Sequence, residues 1–215
     1  MKQCVVFCAA GFEALIAPLT GRELVIAADG GLRYTQALGI SPQAIIGDFD
    51  SLHYVPQGAE VFPVEKDDTD SMLAVRLGLS RGYDRFLLYG AMDGERLDHT
   101  VANYQLLSFL ADHGARGILV GNQFCATVIK NGGLRFSGGK EGDISVFCMG
   151  KDARGVNIRG LYYPLENGTL TSGFPLGVSN HFTGAPAKIE VAHGFLLILW
   201  RRAAGLPELI EKARH

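Results

Sequence analysis

The 12 aspartates of this chain are spread unevenly, and their placement is where chemistry first suggests itself. Nine lie in the first 100 residues, and eight of those nine fall in four polar or glycine-marked segments that follow apolar runs. The segments are Asp29-Gly30-Gly31, Gly47-Asp48-Phe49-Asp50-Ser51, Lys66-Asp67-Asp68-Thr69-Asp70 and Asp93-Gly94-Glu95-Arg96-Leu97-Asp98-His99. Asp48 and Asp50 stand two apart, which in an extended segment puts both carboxylates on one side, about 7 Å from each other. At that distance two ionised carboxylates repel by roughly 2 kcal/mol for an effective dielectric of about 20. A divalent cation offsets such repulsion, and aspartate oxygens suit Mg²⁺. Zinc is disfavoured, because the six histidines form no H-x-x-x-H pair and no Cys/His cluster.

Carboxylate-held Mg²⁺ usually brings phosphates. The common phosphate cradles are missing. No G-x-x-x-x-G-K-[ST] occurs, since Gly139-Lys140 is followed by Glu141, and no G-x-G-x-x-G occurs either. A nucleotide must then be held by the metal, by Lys66 and Arg96, and by backbone N–H groups at Gly30-Gly31 and at helix starts. Each segment also has a plainer reading. A lone Asp in a loop is most often a turn or helix cap, Thr69, Asp67 or Asp68 suits the start of a helix near Asp70, and Lys66 and Arg96 can simply neutralise adjacent acids. Four such segments together, each after an apolar run, favour a ligand site.

The elements that must position these acids follow from hydrophobic spacing. Short apolar runs at residues 4–9, 24–28, 44–46, 85–89 and 117–120, with a weaker one at 60–63, read as strands. Residues 69–80 place Met72, Val75 and Leu79 on one helical face, and residues 97–113 do the same with Leu97, Val101, Tyr104 and Leu110. Continuous apolar strands with helices between them predict a parallel sheet covered on both faces. Loops after parallel strands open at one edge, where such sheets bind ligands. Acids scattered over some 70 residues would converge there. Beyond about residue 122 helical periodicity disappears until the last ten residues. Strand-like runs at 126–130, 143–148, 161–163, 188–191 and 195–200 are cut by turn signals such as Asn131-Gly132-Gly133 and Asn167-Gly168. The expected architecture is an α/β N-terminal domain with a parallel sheet, residues 1–121, followed by an all-β sandwich C-terminal domain, residues 122–215.

Composition narrows the function class. The chain has 215 residues and a formal charge of −2, a balance that argues against a partner such as nucleic acid. No apolar run approaches the ~18 residues needed to cross a bilayer. The apolar stretch after Met1-Lys2 is brief and soon meets Glu13, so it reads as a buried first strand rather than a signal peptide, and a cytoplasmic protein is expected. The four cysteines, Cys4, Cys8, Cys125 and Cys148, form no C-x-x-C pair and read as buried apolar thiols.

Taken in order, Ala28-Asp29-Gly30-Gly31, Gly47-Asp48-Phe49-Asp50-Ser51, Lys66-Asp67-Asp68-Thr69-Asp70 and Arg96-Leu97-Asp98-His99 resemble thiamin pyrophosphokinases. So do Glu141-Gly142-Asp143-Ile144-Ser145, Gly160-Leu161-Tyr162-Tyr163-Pro164-Leu165 and Gly177-Val178-Ser179-Asn180 in the second half. The resemblance implies a homodimer that moves a pyrophosphoryl group from ATP to the hydroxyl of thiamin, giving thiamin diphosphate and AMP. It implies that Asp48, Asp50 and Asp70 hold Mg²⁺, and that Asp98 and Arg96 lie close to the reacting groups. Asp29, Gly30, Gly31, Lys66, Thr69 and Arg96 would serve ATP. Ser179 and Asn180 would lie at the thiamin pocket, facing the α/β domain of the other subunit. Two positions depart from the family's pattern: Glu95 stands where a second glycine usually precedes the arginine, and His181 stands where Glu often follows Ser-Asn.

Mechanistically, Lys66 or Arg96 would stabilise transition-state charge and Asp98 would orient or deprotonate the thiamin hydroxyl. Thiamin is cationic, so an acidic cleft would attract it. Three rivals remain at this stage. Ile45-Ile46-Gly47-Asp48-Phe49-Asp50 superficially matches a haloacid-dehalogenase-type phosphatase, with Asp48 as nucleophile. That motif normally follows the first strand, and here it follows the third. A pyrophosphokinase acting on another alcohol such as a pterin, and a non-catalytic nucleotide-binding module, are the others.

Overall fold

The computed structural model describes residues 2–47, 60–61 and 68–210. The chain divides into two compact units, Met1–Leu106 with Gly114–Asn122, and Leu107–His113 with Gln123–His215.

The first unit holds β1 (Gln3–Phe7), β2 (Leu24–Ala28), α1 (Leu32–Ala37), β3 (Ala44–Gly47), β4 (Glu60–Val61), α2 (Asp70–Ser80), β5 (Arg85–Tyr89) and β6 (Arg116–Val120), with α3 (Leu97–Asp112) running from it into the segment grouped with the second. Its strands lie in the order β6-β5-β1-β2-β3-β4, and every pairing among them is parallel. Burial on both faces explains the unbroken apolar runs: Cys4 to Phe7 are all 0% exposed, and β2 is buried throughout.

Two helix faces differ from the sequence expectation. In α2 the buried side chains are Ser71, Ala74, Val75 and Gly78, while Met72 and Leu79 are only half-buried. Small residues win that face because the helix lies close on the sheet: a Cβ on Gly78 would stand 2.5 Å from the Phe86 ring. In α3 the buried face is Asn103, Leu106, Leu107 and Leu110, whereas Leu97 is 73% and Val101 49% exposed. That helix carries apolar residues on several sides, so spacing alone did not select the inward one. α1 went unread, because six residues are too few to display a helical period.

The second unit is β-rich. It contains β7 (Phe124–Lys130), β8 (Gly133–Phe136), β9 (Asp143–Cys148), β10 (Asp152–Arg159), β11 (Leu165–Thr171), β12 (Gly177–His181), β13 (Ala187–Glu190), β14 (Phe195–Arg201) and β15 (Glu208–Ile210). They form antiparallel arrays in the orders β12-β9-β14-β7 and β11-β10-β13-β8-β15. Phe136 of one array meets Trp200 of the other edge-on at 5.5 Å and Phe182 at 4.9 Å. Trp200 is fully buried, and its indole N–H donates to the Gly205 carbonyl at 2.8 Å, so its one polar atom is satisfied. Two expectations fail here. Residues 161–163 are not a strand; Leu161 makes an isolated bridge to Phe182 and the tyrosines bend away. The helical signal in the last ten residues gives way to β15, which pairs with β8, while residues 211–215 lie outside those described. The four cysteines are free and buried, as apolar thiols.

Candidate active site

The parallel register brings the carboxyl ends of the strands in the first unit level. Phe7 pairs with Ala27 and with Tyr89, Ala28 with Ile46, and Tyr89 with Val120. The residues that follow, Cys8, Asp29, the end of β3 at Gly47, the segment from Gly90 to Asp93, and Asn122, therefore share one edge. Asp29 sits at the turn after β2 with φ +47°, against β3, so that a Cβ on Gly47 would lie 3.0 Å from its Cα. Gly31 is required by the core: a Cβ there would stand 1.9 Å from the Phe7 carbonyl oxygen.

Asp70 opens α2. The Thr69 hydroxyl caps that helix by accepting the Met72 N–H at 3.2 Å, the plain role its spacing suggested. Asp29 and Asp70 are 41 positions apart, yet both act on the same buried thiol. Burial pushes Cys8 up to about 12, with Asp70 and then Asp29 adding to the rise. Two of the predicted acids thus each lie close enough to Cys8, at the strand ends, to act on its thiol. Asp48, Asp50 and Lys66 lie outside the described residues, as does Asp67. Among the described residues no group of three or more His, Cys, Asp or Glu side chains is placed to hold a metal ion.

Asp93 stands on the same edge with φ +56° and accepts the Asn122 N–H at 2.6 Å. Three and five residues on, Arg96 and Asp98 form a bidentate pair. Nε donates to Oδ1 at 3.0 Å and a terminal guanidinium nitrogen to Oδ2 at 2.7 Å, with both side chains exposed. The Arg96 bond holds the Asp98 carboxyl down to about 2. A carboxylate with so little proton affinity is a weak general base and a good ionised anchor.

In the second unit, Ser179 and Asn180 differ sharply. Ser179 is exposed at φ +57°, at an irregularity between β12 and β9, and its N–H donates to Ser145 Oγ at 3.1 Å. Asn180 is 3% exposed and faces inward. Its Oδ1 accepts the N–H of Tyr163 and of His181, each at 2.9 Å, and its Nδ2 donates to the Tyr163 carbonyl at 2.7 Å. The side chain thus clamps the Tyr162-Tyr163 turn. Above it the Tyr162 ring stacks on His181 at 4.5 Å, and both tyrosines are exposed. The aromatic turn was missed because its Gly-Leu-Tyr-Tyr run reads as strand. A separate cavity of about 110 Å³, bordered by Val146, Cys148, Leu170, Phe174 and Pro175, does not include Ser179 or Asn180.

An open parallel sheet with Asp29 and Asp93 at the carboxyl ends of its strands, joined in one chain to a β-rich unit, defines an α/β protein whose candidate ligand site lies at that edge. The comparisons sharpen that class. Residues 18–119 match the profile described as thiamin pyrophosphokinase, catalytic domain, and residues 136–196 match thiamin pyrophosphokinase, vitamin B1 binding domain. The thiamine pyrophosphokinase of Bacillus subtilis is 28% identical over 204 residues, covering 89% of this chain and 95% of that protein. A crystal structure of thiamine pyrophosphokinase from B. subtilis superposes with TM-score 0.81 at 24% identity, over 93% of this chain and 99% of that one. The thiamin pyrophosphokinase of Candida albicans gives 0.73 at 16% identity, over 93% and 88% of the two chains. The chain belongs to the thiamin pyrophosphokinase family.

Proposed function

We infer that the protein transfers the pyrophosphoryl group of ATP to the hydroxyl of thiamin, releasing AMP. The observation that carries this reading is that Asp29 and Asp70 each lie near Cys8 at the carboxyl edge of the sheet, within the stretch that matches the family's catalytic domain. The first unit would bind ATP and the metal, and the second, as a β-sandwich, would bind thiamin.

Hard carboxylate oxygens at this edge fit Mg²⁺ better than softer metals. Asp70, together with Asp48 and Asp50, would hold it. When bound, the ion neutralises charge on the triphosphate and favours departure of AMP. The rest is the work of protein side chains. Arg96 uses one side of its guanidinium on Asp98 and keeps donors free for phosphate oxygens. Asp98, ionised throughout the working pH range, orients the thiamin hydroxyl in line with the β-phosphorus. The hydroxyl oxygen bonds to that phosphorus, the bond to the oxygen bridging the α-phosphorus breaks, and the hydroxyl proton leaves to solvent rather than residing on Asp98. Lys66 would add positive charge, and Gly30, Gly31 and Thr69 would border the nucleotide. Ser179 would face thiamin directly.

We extend the reading to a homodimer in the cytoplasm. The exposed apolar side chains Tyr162, Tyr163, Phe174, Leu176 and Val178 support burial against a second copy. Among the described residues no helix is long and apolar enough to cross a membrane. The position of the Asp48-x-Asp50 motif, after a strand next to the edge of the sheet, speaks against the phosphatase reading. The deciding experiment supplies ATP, Mg²⁺ and thiamin and identifies the nucleotide product. AMP with thiamin diphosphate supports the proposal; ADP, or inorganic phosphate alone, overturns it.

A further inference from the structure

Three elements that carry site acids are tied together by a chain of side chains, two of which, Ser71 and Asn103, have no part in the proposed reaction. Asn103 lies on the inward face of α3, 7% exposed, among leucines. Its Nδ2 donates to the Ala91 carbonyl at 2.8 Å, and its Oδ1 stands 2.8 Å from Ser71 Oγ. Ser71 is 9% exposed, and its oxygen is 3.0 Å from Thr69 Oγ1. The directions of these bonds are fixed by elimination. Ala91 offers only a carbonyl, so the amide nitrogen must face it and the amide oxygen must face Ser71. Ser71 then gives its single proton to Asn103, and Thr69 must give its own to Ser71. Thr69 can do so because its lone pair already receives the Met72 N–H. The result is a one-way chain of donors from the backbone of α2, through two hydroxyls and an amide, to the segment after β5.

We propose that Ser71 and Asn103 are positioning residues, whose buried hydrogen-bond chain holds the Asp70 end of α2 in register with the Asp93-to-Asp98 segment. The proposal rests on the assignment of Asp70 to the metal and the nucleotide. Asp70 is flanked by two members of the chain, Thr69 and Ser71. Ala91 is two residues before Asp93, and Asn103 is five after Asp98 on the same helix. An amide on an otherwise apolar face costs desolvation that leucine would not incur. Fully satisfied polar networks in low dielectric favour one geometry over close alternatives, and that is what a site assembled from separate elements needs.

Ser71→Ala is the informative variant, because it removes one hydroxyl, leaving the Asn103 amide oxygen without its donor and the Thr69 hydroxyl without its acceptor, and strands no N–H. Loss of register of about 1 Å should lower kcat about 10-fold or more. The thiamin KM should stay within about 2-fold, since the second unit is untouched. The Mg²⁺ concentration for half-maximal rate should rise. Ser71→Thr, which keeps the hydroxyl, should recover most of the loss, whereas a role in packing alone would not be restored by it. Calorimetric titration with Mg²⁺ and α,β-methylene-ATP, without thiamin, reads the same register independently of turnover, and Ser71→Ala should bind the analogue about 5-fold or more weakly. Circular dichroism confirms that each variant is folded. A folded Ser71→Ala with wild-type kcat, Mg²⁺ response and analogue affinity overturns the proposal, as does an equal defect in Ser71→Thr. Failure of the wild type to release AMP would instead sink the assigned activity, and the calorimetric arm would still decide the role of Ser71.

Discussion

The two units place their candidate site residues by opposite means. In the first, charge is gathered at the ends of parallel strands, and the acids come from segments far apart in sequence. In the second, one buried amide shapes an exposed aromatic turn on an antiparallel edge. Asp70 stands at the surface end of a helix, where a ligand's charge can reach it. Asn180 has every polar atom of its side chain occupied within the protein. A site built of charge should therefore fail in chemistry when altered, and a site built of shape should fail in binding and stability.

Changing Asp70 should produce the largest contrast. Asp70→Asn is expected to lower turnover by about 10²–10³-fold, while the melting temperature stays close to wild type. The lost helix-dipole contribution is only about 0.3–1 kcal/mol. A collapse of stability with turnover intact would invert the comparison. Asn180→Ala comes next. It leaves part-buried backbone groups of Tyr163 and His181 without their partner, at a cost of about 1 kcal/mol. The thiamin KM should rise about 10-fold with kcat little changed. An unchanged KM would show that the aromatic turn holds its shape without the amide, or does not touch thiamin.

Smaller effects sharpen the picture of the first unit. Thr69→Ala removes the cap of α2 and should cost about 1 kcal/mol in chemical denaturation. At Asp98 the native pKa lies below the usual 3.8, so the ionised form is the one favoured by folding. Its stabilising effect is present above about pH 4 and fades as pH falls toward 2. In Arg96→Gln, carboxyl NMR should find Asp98 returning from about 2 toward 3.8. The acid limb of the wild-type rate profile should not follow Asp98. A limb that moves with Arg96→Gln would restore Asp98 as the titrating group.

Much of the framework was legible. Strands β2, β5 and β9 coincide with runs picked out by apolar composition and turn signals, and α2 begins where Thr69 offers a cap. These are local decisions, set by propensity and spacing. The helix faces were not legible, because α3 bears apolar side chains all round and only tertiary packing chooses which are covered. Residues 161–163 look like a strand, but the side chain of Asn180, 17 positions from Tyr163, bends them into a turn. β15 needed β8 to exist.

The sequence by itself determined the family, the order of the acid-bearing segments and the parallel sheet that brings the ends of its strands to one edge, because each depends on residue type and near-neighbour spacing. Tertiary structure alone decided that Asn180 faces inward to clamp Tyr163, and that Ser71 and Asn103 join α2 to α3. Those outcomes are hydrogen bonds whose donor and acceptor meet only once the backbone has folded, and no local pattern encodes a partner that distant.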